Sequence, residues 1–391
     1  MSGLGKGIVT ASIGRLLKTH GYKVVPIKFD GYLNVDCGTM NPFRHGEVFV
    51  LDDGGEVDMD FGTYERFLNT SLTKDSSITG GKIFKLVLEK ERRGDYLGRD
   101  VQMVPHLTNE LKDRVRSVGE QTKADIVLVE VGGTVGDIEN GYFIEAMRQL
   151  SGEEDVLFIQ LTYVPSLSPG EQKTKPTQHS NRLIQSLGIK PEIILCREQE
   201  PLTKEAKDKI ALFCDVPQEN VFDDPVVDTV YQLPQVLKKQ KLYDAIAKRF
   251  KLRKTKVNVG IWNRMVRRIT KPPKKLLRVG IVGKYTAVKD AYVSVNEAIL
   301  HAAAANNVHA EVCFVESTDV EKKGAPALQG LDAIIVPGGF GKRGIEGKIS
   351  AIRYARKNNI PFLGLCLGMQ MMVIEYARSL CGMKDANSEE I

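Results

Sequence analysis

Long apolar runs and paired cysteines are missing from this sequence of 391 residues. No apolar stretch approaches the roughly 18 residues that a membrane-spanning helix needs, and the N-terminus has Lys6 among glycines where a secretion signal would be apolar. The 6 cysteines are scattered, without a C-x-x-C pair or a histidine at zinc-ligand spacing. These absences argue against a membrane or disulfide-stapled secreted protein and predict a cytoplasmic chain with reduced thiols and no membrane partner.

Aromatic residues are also few, with 1 tryptophan in the whole chain. The net charge is +6, and residues 238–278 hold sixteen lysines and arginines against the single acid Asp244. A nucleic-acid module built on this segment is one possible interpretation. Aromatic side chains do not alternate with the basic ones there, however, so a solvated linker or helix face is favoured and no nucleic-acid partner is predicted.

Apolar runs that alternate with helix-like patterns predict an α/β protein with two parallel sheets. The first set of buried-strand candidates is residues 23–29, 125–131, 156–161 and 192–196, and the second is residues 277–282, 312–315, 333–336 and 361–365. Helices are predicted at residues 293–305, 345–358 and 371–380. The domains expected are residues 1–250 and 277–391, joined by a linker over residues 251–276.

A glycine loop opens the first domain and precedes a helix pattern. Its residues, Ser2-Gly3-Leu4-Gly5-Lys6-Gly7, would place backbone N–H groups and the helix dipole against a phosphate, which Lys6 would neutralise. The match to G-x-x-x-x-G-K-[ST] is incomplete, because Gly7 stands where the hydroxyl residue belongs. An ordinary turn therefore remains an alternative.

Acidic residues near the predicted strand ends support a nucleotide site. Glu130 ends a strand-like run before Gly132-Gly133, a position from which carboxylates hold Mg²⁺ in phosphoryl-transfer sites. Asp60 offers a second carboxylate and Lys28 a second cation for phosphate. Surface charges or helix caps are the alternative for each residue.

Two further polar segments are candidates for binding a second phosphorylated ligand. They are residues 136–140, which include Asp137 and Glu139, and residues 173–179, which present two lysines, two threonines and a glutamine. A solvated loop is the alternative for both.

The second domain contains an apolar strand that enters G-x-C-x-G and then a helix. Cys366 occupies the nucleophile position of this elbow, where the helix N-terminus would lower the thiol pKa and supply N–H groups to an oxyanion. The loop at residues 337–341 could face it. Each histidine precedes Cys366, and His301 and His309 are weak candidates for a base because one lies in a helix pattern and the other at a turn.

The motifs, in this order, resemble the CTP synthase family, glutamine-dependent ligases that make CTP from UTP. The resemblance covers nearly the whole chain and is carried by SGLGKG, NVDCGTMNPF, HGEVFVLDDGGEVDMDFGTYERF, KERRGDYLG, VEVGGTVGDIE, GEQKTKPTQHS, VGKY, PGGFGKRGIEGK and PFLGLCLGMQ. It implies a phosphate-loop-like amidoligase domain followed by a partial, flavodoxin-like class I glutamine amidotransferase domain.

The resemblance also implies a role for each matching residue. ATP and UTP phosphates would bind at Ser2, Gly3, Leu4, Gly5, Lys6, Gly7, Ile8 and Lys28, with Mg²⁺ held by Asp60 and Glu130. UTP, or CTP as inhibitor, would contact Asp137, Ile138, Glu139, Lys173, Thr174, Lys175, Pro176, Thr177, Gln178 and Lys209. Cys366 would form the thioester, with glutamine held by Gly339, Leu367, Gln370 and Glu390, and His45 would gate an ammonia channel.

The same resemblance implies ATP as co-substrate, glutamine or ammonia as nitrogen donor, GTP as possible activator and a homotetramer. It further leads us to expect a chain shortened at both ends, without the family's first strand and its late His-Pro-Glu segment, in which glutamine hydrolysis is the least supported step. Two other interpretations stay open. One is a phosphate-loop ATPase resembling partition proteins, which gives Cys366 no role; the other is a non-catalytic member that binds nucleotides or assembles without turnover.

Overall fold

The computed structural model describes residues 3–168, 171–253, 255, 259–284, 286, 289–339, 341–389 and 391. Its helices are α1 (Lys6–Thr19), α2 (Pro42–His45), α3 (Asp60–Leu68), α4 (Gly80–Arg93), α5 (Thr108–Thr122), α6 (Gly141–Leu150), α7 (Lys175–Ser186), α8 (Lys204–Cys214), α9 (Leu233–Lys239), α10 (Leu242–Phe250), α11 (Gly260–Thr270), α12 (Val293–Asn306), α13 (Ser317–Lys323), α14 (Ile345–Lys357) and α15 (Leu367–Leu380). Its strands are β1 (Val24–Asp30), β2 (Phe49–Val50), β3 (Glu56–Val57), β4 (Ser77–Thr79), β5 (Ile126–Val131), β6 (Ile159–Tyr163), β7 (Ser166–Ser168), β8 (Glu171–Gln172), β9 (Ile193–Glu198), β10 (Val221–Pro225), β11 (Leu276–Gly283), β12 (His309–Glu316), β13 (Ala333–Val336) and β14 (Phe362–Gly364).

The chain divides into two compact units. The first contains Met1–Thr39 and Phe49–Val259, and the second contains Met40–Val48 and Gly260–Ile391. The short segment that carries α2 therefore folds with the second unit, although it lies early in the sequence. Within that unit the Glu47 amide donates to the Asp290 carbonyl at 2.9 Å, and the Glu47 carboxylate accepts from the Ser294 amide at 2.8 Å.

Two parallel three-stranded sheets lie at the centre of the first unit, in the orders β4-β1-β5 and β10-β9-β6. β1 is buried along its whole length, as expected for a central strand with both faces covered. α1 buries Val9, Ile13, Leu16 and Leu17, whose helical spacing gives one apolar stripe. This stripe belongs to a core that also includes Ile193 of β9, so α1 joins residues of both sheets.

A single parallel sheet, in the order β12-β11-β13-β14, forms the centre of the second unit. Its core includes Ile334 of β13, Ile349 of α14 and Met371 of α15, all at most 1% exposed. α11 belongs to this unit: Trp262 and Val266 are buried, and Arg268 donates to the carbonyl of Ala304 in α12 at 2.9 Å. Among the described residues, none of the helices has the length and apolarity that crossing a bilayer would require.

Candidate functional site

The N-terminus of α1 is preceded by a loop that only glycine accommodates readily. Gly3 and Gly5 have φ angles of +70° and +100°, and a Cβ at either would meet nothing within 4 Å. Conformation rather than space therefore accounts for glycine at these two positions. Gly5 contributes no side-chain cap to the first N–H groups of α1. Ser2 lies outside the described residues.

Asp60, at the start of α3, lies over the first turn of α1. A Cβ on Gly7 would be 2.3 Å from Asp60 Oδ1, so glycine is needed there for the carboxylate to approach. This contact explains why Gly7 stands where phosphate loops carry a hydroxyl. A carboxylate beside the positive end of the helix dipole is also electrostatically favourable.

Lys28 is the centre of a buried ion cluster at the carboxyl end of β1. Its Nζ lies 2.6 Å from Asp60 Oδ2, 2.9 Å from Asp58 Oδ1 and 3.7 Å from Asp30 Oδ1, and the residue is 6% exposed. Burial opposes its charge, but the nearby Asp30, Asp60 and Asp58 carboxylates raise the pKa of Lys28 well above its ordinary value. Lys28 is therefore a permanent cation in this cluster.

Glu130 lies opposite Lys28 in the β1–β5 register and is 5% exposed. The Tyr64 hydroxyl donates to Glu130 Oε2, which fixes the carboxyl group from the side of α3. Burial, followed by the charge of Asp60, raises the pKa of Glu130 to about 7. Asp60 and Glu130 are thus close enough for their negative charges to repel one another, and a bound cation would reduce this repulsion.

The donor set fits Mg²⁺ shared with a phosphorylated ligand. No group of three or more His, Cys, Asp or Glu side chains is arranged for a metal anywhere in the described part of the chain. Mg²⁺ prefers oxygen and commonly takes one or two carboxylates together with substrate phosphates. Asp60 and Glu130 satisfy that preference without a complete protein cage.

Lys6 connects this cluster to the loop after β5. Its Nζ donates to the Gly133 carbonyl at 2.9 Å, and burial lowers the pKa of Lys6. Beyond Gly133 the loop is shaped by its own side chains: Asn140 Nδ2 donates to the Gly132 and Thr134 carbonyls, each at 2.9 Å. Asp137 accepts from the Thr134 amide at 2.8 Å. Asn140 belongs to the predicted segment 136–140, but no individual role was predicted for it.

Ile138 and Glu139 lie on the outer side of the same loop. Ile138 is 92% exposed, and the Glu139 carbonyl would be 2.9 Å from a Cβ on Gly31. The carbonyl of Glu139 therefore sits directly against the residue that follows β1. The structure brings Glu139 to the strand edge that carries Lys28.

The start of α7 combines buried hydroxyl and amide groups with exposed cations. Gln178 Nε2 donates to Thr174 Oγ1 at 2.9 Å, and Thr177 Oγ1 donates to Thr162 Oγ1 at 3.1 Å. Gln178 Oε1 has no hydrogen-bond partner although it is buried. Lys173 pairs with Glu171. Pro176 occupies the first turn, where its missing N–H costs nothing.

Lys175 and Lys209 share one surface of the first unit. Lys175 Nζ lies 5.3 Å from the ring centre of Phe213, which follows Lys209 by one turn on α8. Lys209 itself pairs with Glu205 at 2.6 Å. α7 also reaches the loop after β5, because a Cβ on Gly136 would be 2.7 Å from Leu183. The predicted uridine-nucleotide residues thus lie on neighbouring elements.

In the second unit, the elbow at Cys366 joins β14 to α15. Cys366 has φ +50° and ψ −111°, a conformation that is costly for a residue with a side chain. A Cβ on Gly364 would be 2.7 Å from the Gly368 carbonyl carbon, and one on Gly368 would be 1.9 Å from the Val336 oxygen. The two glycines of G-x-C-x-G are therefore required by close backbone contacts, and they leave the thiol exposed at the start of α15.

The turn after β13 faces this thiol. A Cβ on Gly338 would be 3.4 Å from Cys366 Cβ and 3.8 Å from its Sγ. Gly339 is the next residue, and Leu367 supplies the first N–H of α15. Gln370 lies within the first turn of α15, where its Oε1 accepts from Ser388 Oγ at 3.1 Å. Glu390 lies outside the described residues.

Neither His301 nor His309 lies beside Cys366. His309 begins β12, at the amino edge of a parallel sheet whose carboxyl edge carries Cys366. His301 lies in the second half of α12, which starts at the carboxyl edge and runs back, and its Nε2 is 3.9 Å from Glu297. His45 ends α2.

Family models match both parts of the chain. The CTP synthase N-terminus model matches residues 1–252, and the class-I glutamine amidotransferase model matches residues 287–390. The chain belongs to the CTP synthase family.

Similar curated proteins carry the same family name. A CTP synthase of Thermococcus gammatolerans is 51% identical over 395 residues, which is all of this chain and 74% of that protein. Those of Pyrococcus abyssi and Ruminiclostridium cellulolyticum are 52% and 50% identical, again over the whole chain and over 73% and 74% of the relatives. The two matched family models account for an amidoligase part followed by a class-I glutamine amidotransferase part, the fold class that the sequence predicted.

Proposed function

We propose that this member of the CTP synthase family converts UTP to CTP. In this reaction ATP phosphorylates the C4 oxygen of UTP, and ammonia then attacks C4 and displaces phosphate. The observation that carries the proposal is the convergence of Lys6, Lys28, Asp60 and Glu130 at the start of α1 and the carboxyl ends of β1 and β5. Phosphoryl transfer needs little more from a protein than such positioned charges.

The residues of the first unit would act mainly by binding and orientation. Lys6 and the glycine loop would hold phosphates, and Lys28 would supply a second, permanently charged donor. Asp60 and Glu130 would hold Mg²⁺, which neutralises phosphate charge when bound. The exposed lysines beside Phe213 and the loop that carries Asp137 would hold UTP, or CTP as inhibitor.

Ammonia would come from glutamine at Cys366. The thiolate would attack the side-chain amide to form a thioester, with the Gly339 and Leu367 amides directed at the oxyanion and Gln370 contacting the substrate. His45 would gate the passage of ammonia. Because His301 and His309 lie away from the thiol, glutamine hydrolysis is the less supported half of the activity. GTP activation, a cytoplasmic location and a homotetramer are parts of the same proposal.

CTP formation measured with two nitrogen donors tests both halves. With UTP, ATP and Mg²⁺, Lys6→Ala should lower product formation at least about 10²-fold with ammonium chloride and with glutamine alike. Cys366→Ala should abolish only the glutamine reaction. Lys85→Ala and Cys381→Ala, which change an exposed lysine and an exposed cysteine, are the matched controls.

Three outcomes would change the proposal. Loss of the ammonia reaction in Cys366→Ala would contradict the division into two sites. Product from ammonia alone in the unmodified chain would restrict the activity to the amidoligase half. No product from either donor, with ATP still bound, would favour the non-catalytic nucleotide-binding alternative.

A further inference from the structure

A lysine that the reaction described above does not use lies beneath the turn that faces Cys366. Lys348, in the first half of α14, is 0% exposed. Its Nζ donates to the Pro337 carbonyl at 3.0 Å and lies 3.5 Å from the Gly338 carbonyl oxygen. A Cβ on Gly339 would also be 3.5 Å from Nζ. One ammonium group therefore lies within hydrogen-bonding distance of two successive carbonyls of the turn.

Placing a lysine here is costly. Burial, reinforced by the charge of Lys284, lowers the pKa of Lys348 to about 8, while the Cys366 and Glu316 charges act in the opposite direction. An apolar side chain on this inner face of α14, between the core residues Ile345 and Ile349, would avoid the desolvation cost. The hydrogen bonds to the turn are what the amine provides and an apolar side chain cannot.

Holding the carbonyls determines the direction of the neighbouring amides. A trans peptide is planar, with its C=O and the following N–H pointing in opposite directions. Because Lys348 attracts the Pro337 and Gly338 oxygens, the N–H groups of Gly338 and Gly339 are directed away from it. Glycines resist such reorientation least, since their backbone has the widest choice of conformations.

We propose that Lys348 is a positioning residue for glutamine cleavage, which keeps the 337–339 turn oriented so that the Gly339 amide is available to the oxyanion formed at Cys366. This role rests on the glutaminase half of the proposed function. Lys348 contacts neither the thiol nor glutamine; it acts through the turn. The turn lies between Lys348 and Cys366, because Gly338 faces the Cβ of Cys366.

Covalent modification of Cys366 by two reagents tests this role. A chloromethyl ketone analogue of glutamine has a carbonyl that requires the oxyanion site, whereas a methanethiosulfonate reacts with thiolate and has no carbonyl. Modification of the Cys366 peptide is followed by mass spectrometry in the full chain. Lys348→Met should slow the maximal rate with the ketone at least about tenfold, with little change in its half-saturating concentration, because positioning rather than binding is lost. Its rate with the methanethiosulfonate should change less than about threefold.

Lys357→Met is the matched control, since it changes a lysine at the exposed end of the same helix. If Lys348→Met does not fold, judged by circular dichroism and thermal unfolding, Lys348→Gln replaces it. Gln is uncharged and one bond shorter than Lys, so it should not hold both carbonyls, and the same selective loss is expected.

Equal losses with both reagents, or no loss with the ketone, would overturn the role of Lys348. A different result would identify failure of the proposed function itself. In that case the unmodified chain would react with the glutamine ketone no faster than with chloroacetone, which has the same reactive group without the amino-acid part, and both proposals would fall together.

Discussion

Lys28 is a buried cation that compensates three aspartates, of which Asp58 and Asp60 remain partly exposed. Asp58 and Asp60 approach its Nζ within 3 Å, and Asp30 lies 3.7 Å away, behind β1 residues that are buried. Removing one partner of a buried ion pair leaves the others without compensation, which costs about 3–5 kcal/mol. The ion cluster therefore links stability to the site chemistry.

Lys28→Met is expected to lower the free energy of unfolding of the first unit by about 3 kcal/mol or more and to abolish CTP formation with ammonia. Urea unfolding and the ammonia assay measure the two effects. Lys85→Met, on an exposed turn of α4, should change neither. A Lys28→Met chain with unchanged stability would show that Asp58 and Asp60 are already compensated by solvent.

Glu198 is a second buried acid of the first unit. It is 1% exposed at the end of β9, its Oε2 accepts from the Asp224 amide at 3.3 Å, and its Oε1 has no partner. Burial, with the charge of Asp223 as the next cause, raises the pKa of Glu198 to about 8, against an ordinary value of 4.5. The folded chain therefore keeps a proton here that the unfolded chain releases above pH 4.5.

Because of this difference in pKa between the folded and unfolded chain, the free energy of unfolding falls as the pH rises. Between pH 4.5 and pH 8 unfolding releases the proton of Glu198, so raising the pH favours the unfolded state. Glu198→Gln removes that contribution, and its melting temperature should rise relative to the unmodified chain as the pH goes from 5 to 8. Burial also raises the pKa of Asp224, to about 6. This acid therefore changes the pH dependence of stability in the same direction in both chains. Glu219→Gln, at an exposed acid, is the control, and a pH-independent difference would contradict the raised pKa.

At the scale of elements, the elbow depends on contact between α15 and β13. Gly368 lies in the first turn of α15, where alanine is the better helix former by about 1 kcal/mol. Packing opposes that preference, because a Cβ there would lie 1.9 Å from the Val336 oxygen. The backbone contact should prevail, since α15 cannot move away from β13 without opening the core in which Leu367 and Met371 pack with Val336.

Gly368→Ala should therefore destabilise the second unit by about 1–3 kcal/mol and slow the reaction of Cys366 with the glutamine ketone. Thermal unfolding and the alkylation rate report the two effects. Gly382→Ala is a useful comparison, because that glycine has φ +72° and open space around it, so any loss there is conformational. Stabilisation by Gly368→Ala would show that α15 can shift away from β13.

The elements that sequence patterns predicted best are central and apolar. β13 has the predicted bounds, residues 333–336, because both of its neighbours are strands and its faces are covered. β12 is longer than the predicted residues 312–315: it is an edge strand whose first residues alternate exposed and half-buried, so its polar half carries no apolar run. β4, three residues of serine, isoleucine and threonine, has too little apolar content to be predicted from sequence.

The residues of the candidate sites also differ in how far a local sequence pattern identifies them. Glycine loops and the cysteine elbow have fixed spacings, so their residues are recognisable along the chain. Tyr64 and Lys348 act through contacts with residues elsewhere in the chain, at Glu130 and Pro337 respectively. No local pattern distinguishes a lysine that holds two carbonyls from one that faces solvent. Only the fold reveals such residues.

At the scale of the whole molecule, each unit has its own apolar core. Ile194 of β9 belongs to a cluster made by the first unit, and Ile334 of β13 to one made by the second; both side chains are 0% exposed. An isoleucine-to-alanine change in a core costs about 2–5 kcal/mol. A ligand present at about 100 times its dissociation constant stabilises the unit that binds it by about 2.7 kcal/mol.

Calorimetry should consequently show two separable transitions. Ile194→Ala should lower one melting temperature and Ile334→Ala the other, and ATP with Mg²⁺ should raise only the transition that Ile194→Ala lowers. These two substitutions are matched controls for each other, because they remove the same atoms from equally buried central strands. A single transition, shifted alike by both variants and by ATP, would contradict independent cores and would mean that the glutaminase and amidoligase parts unfold as one cooperative body.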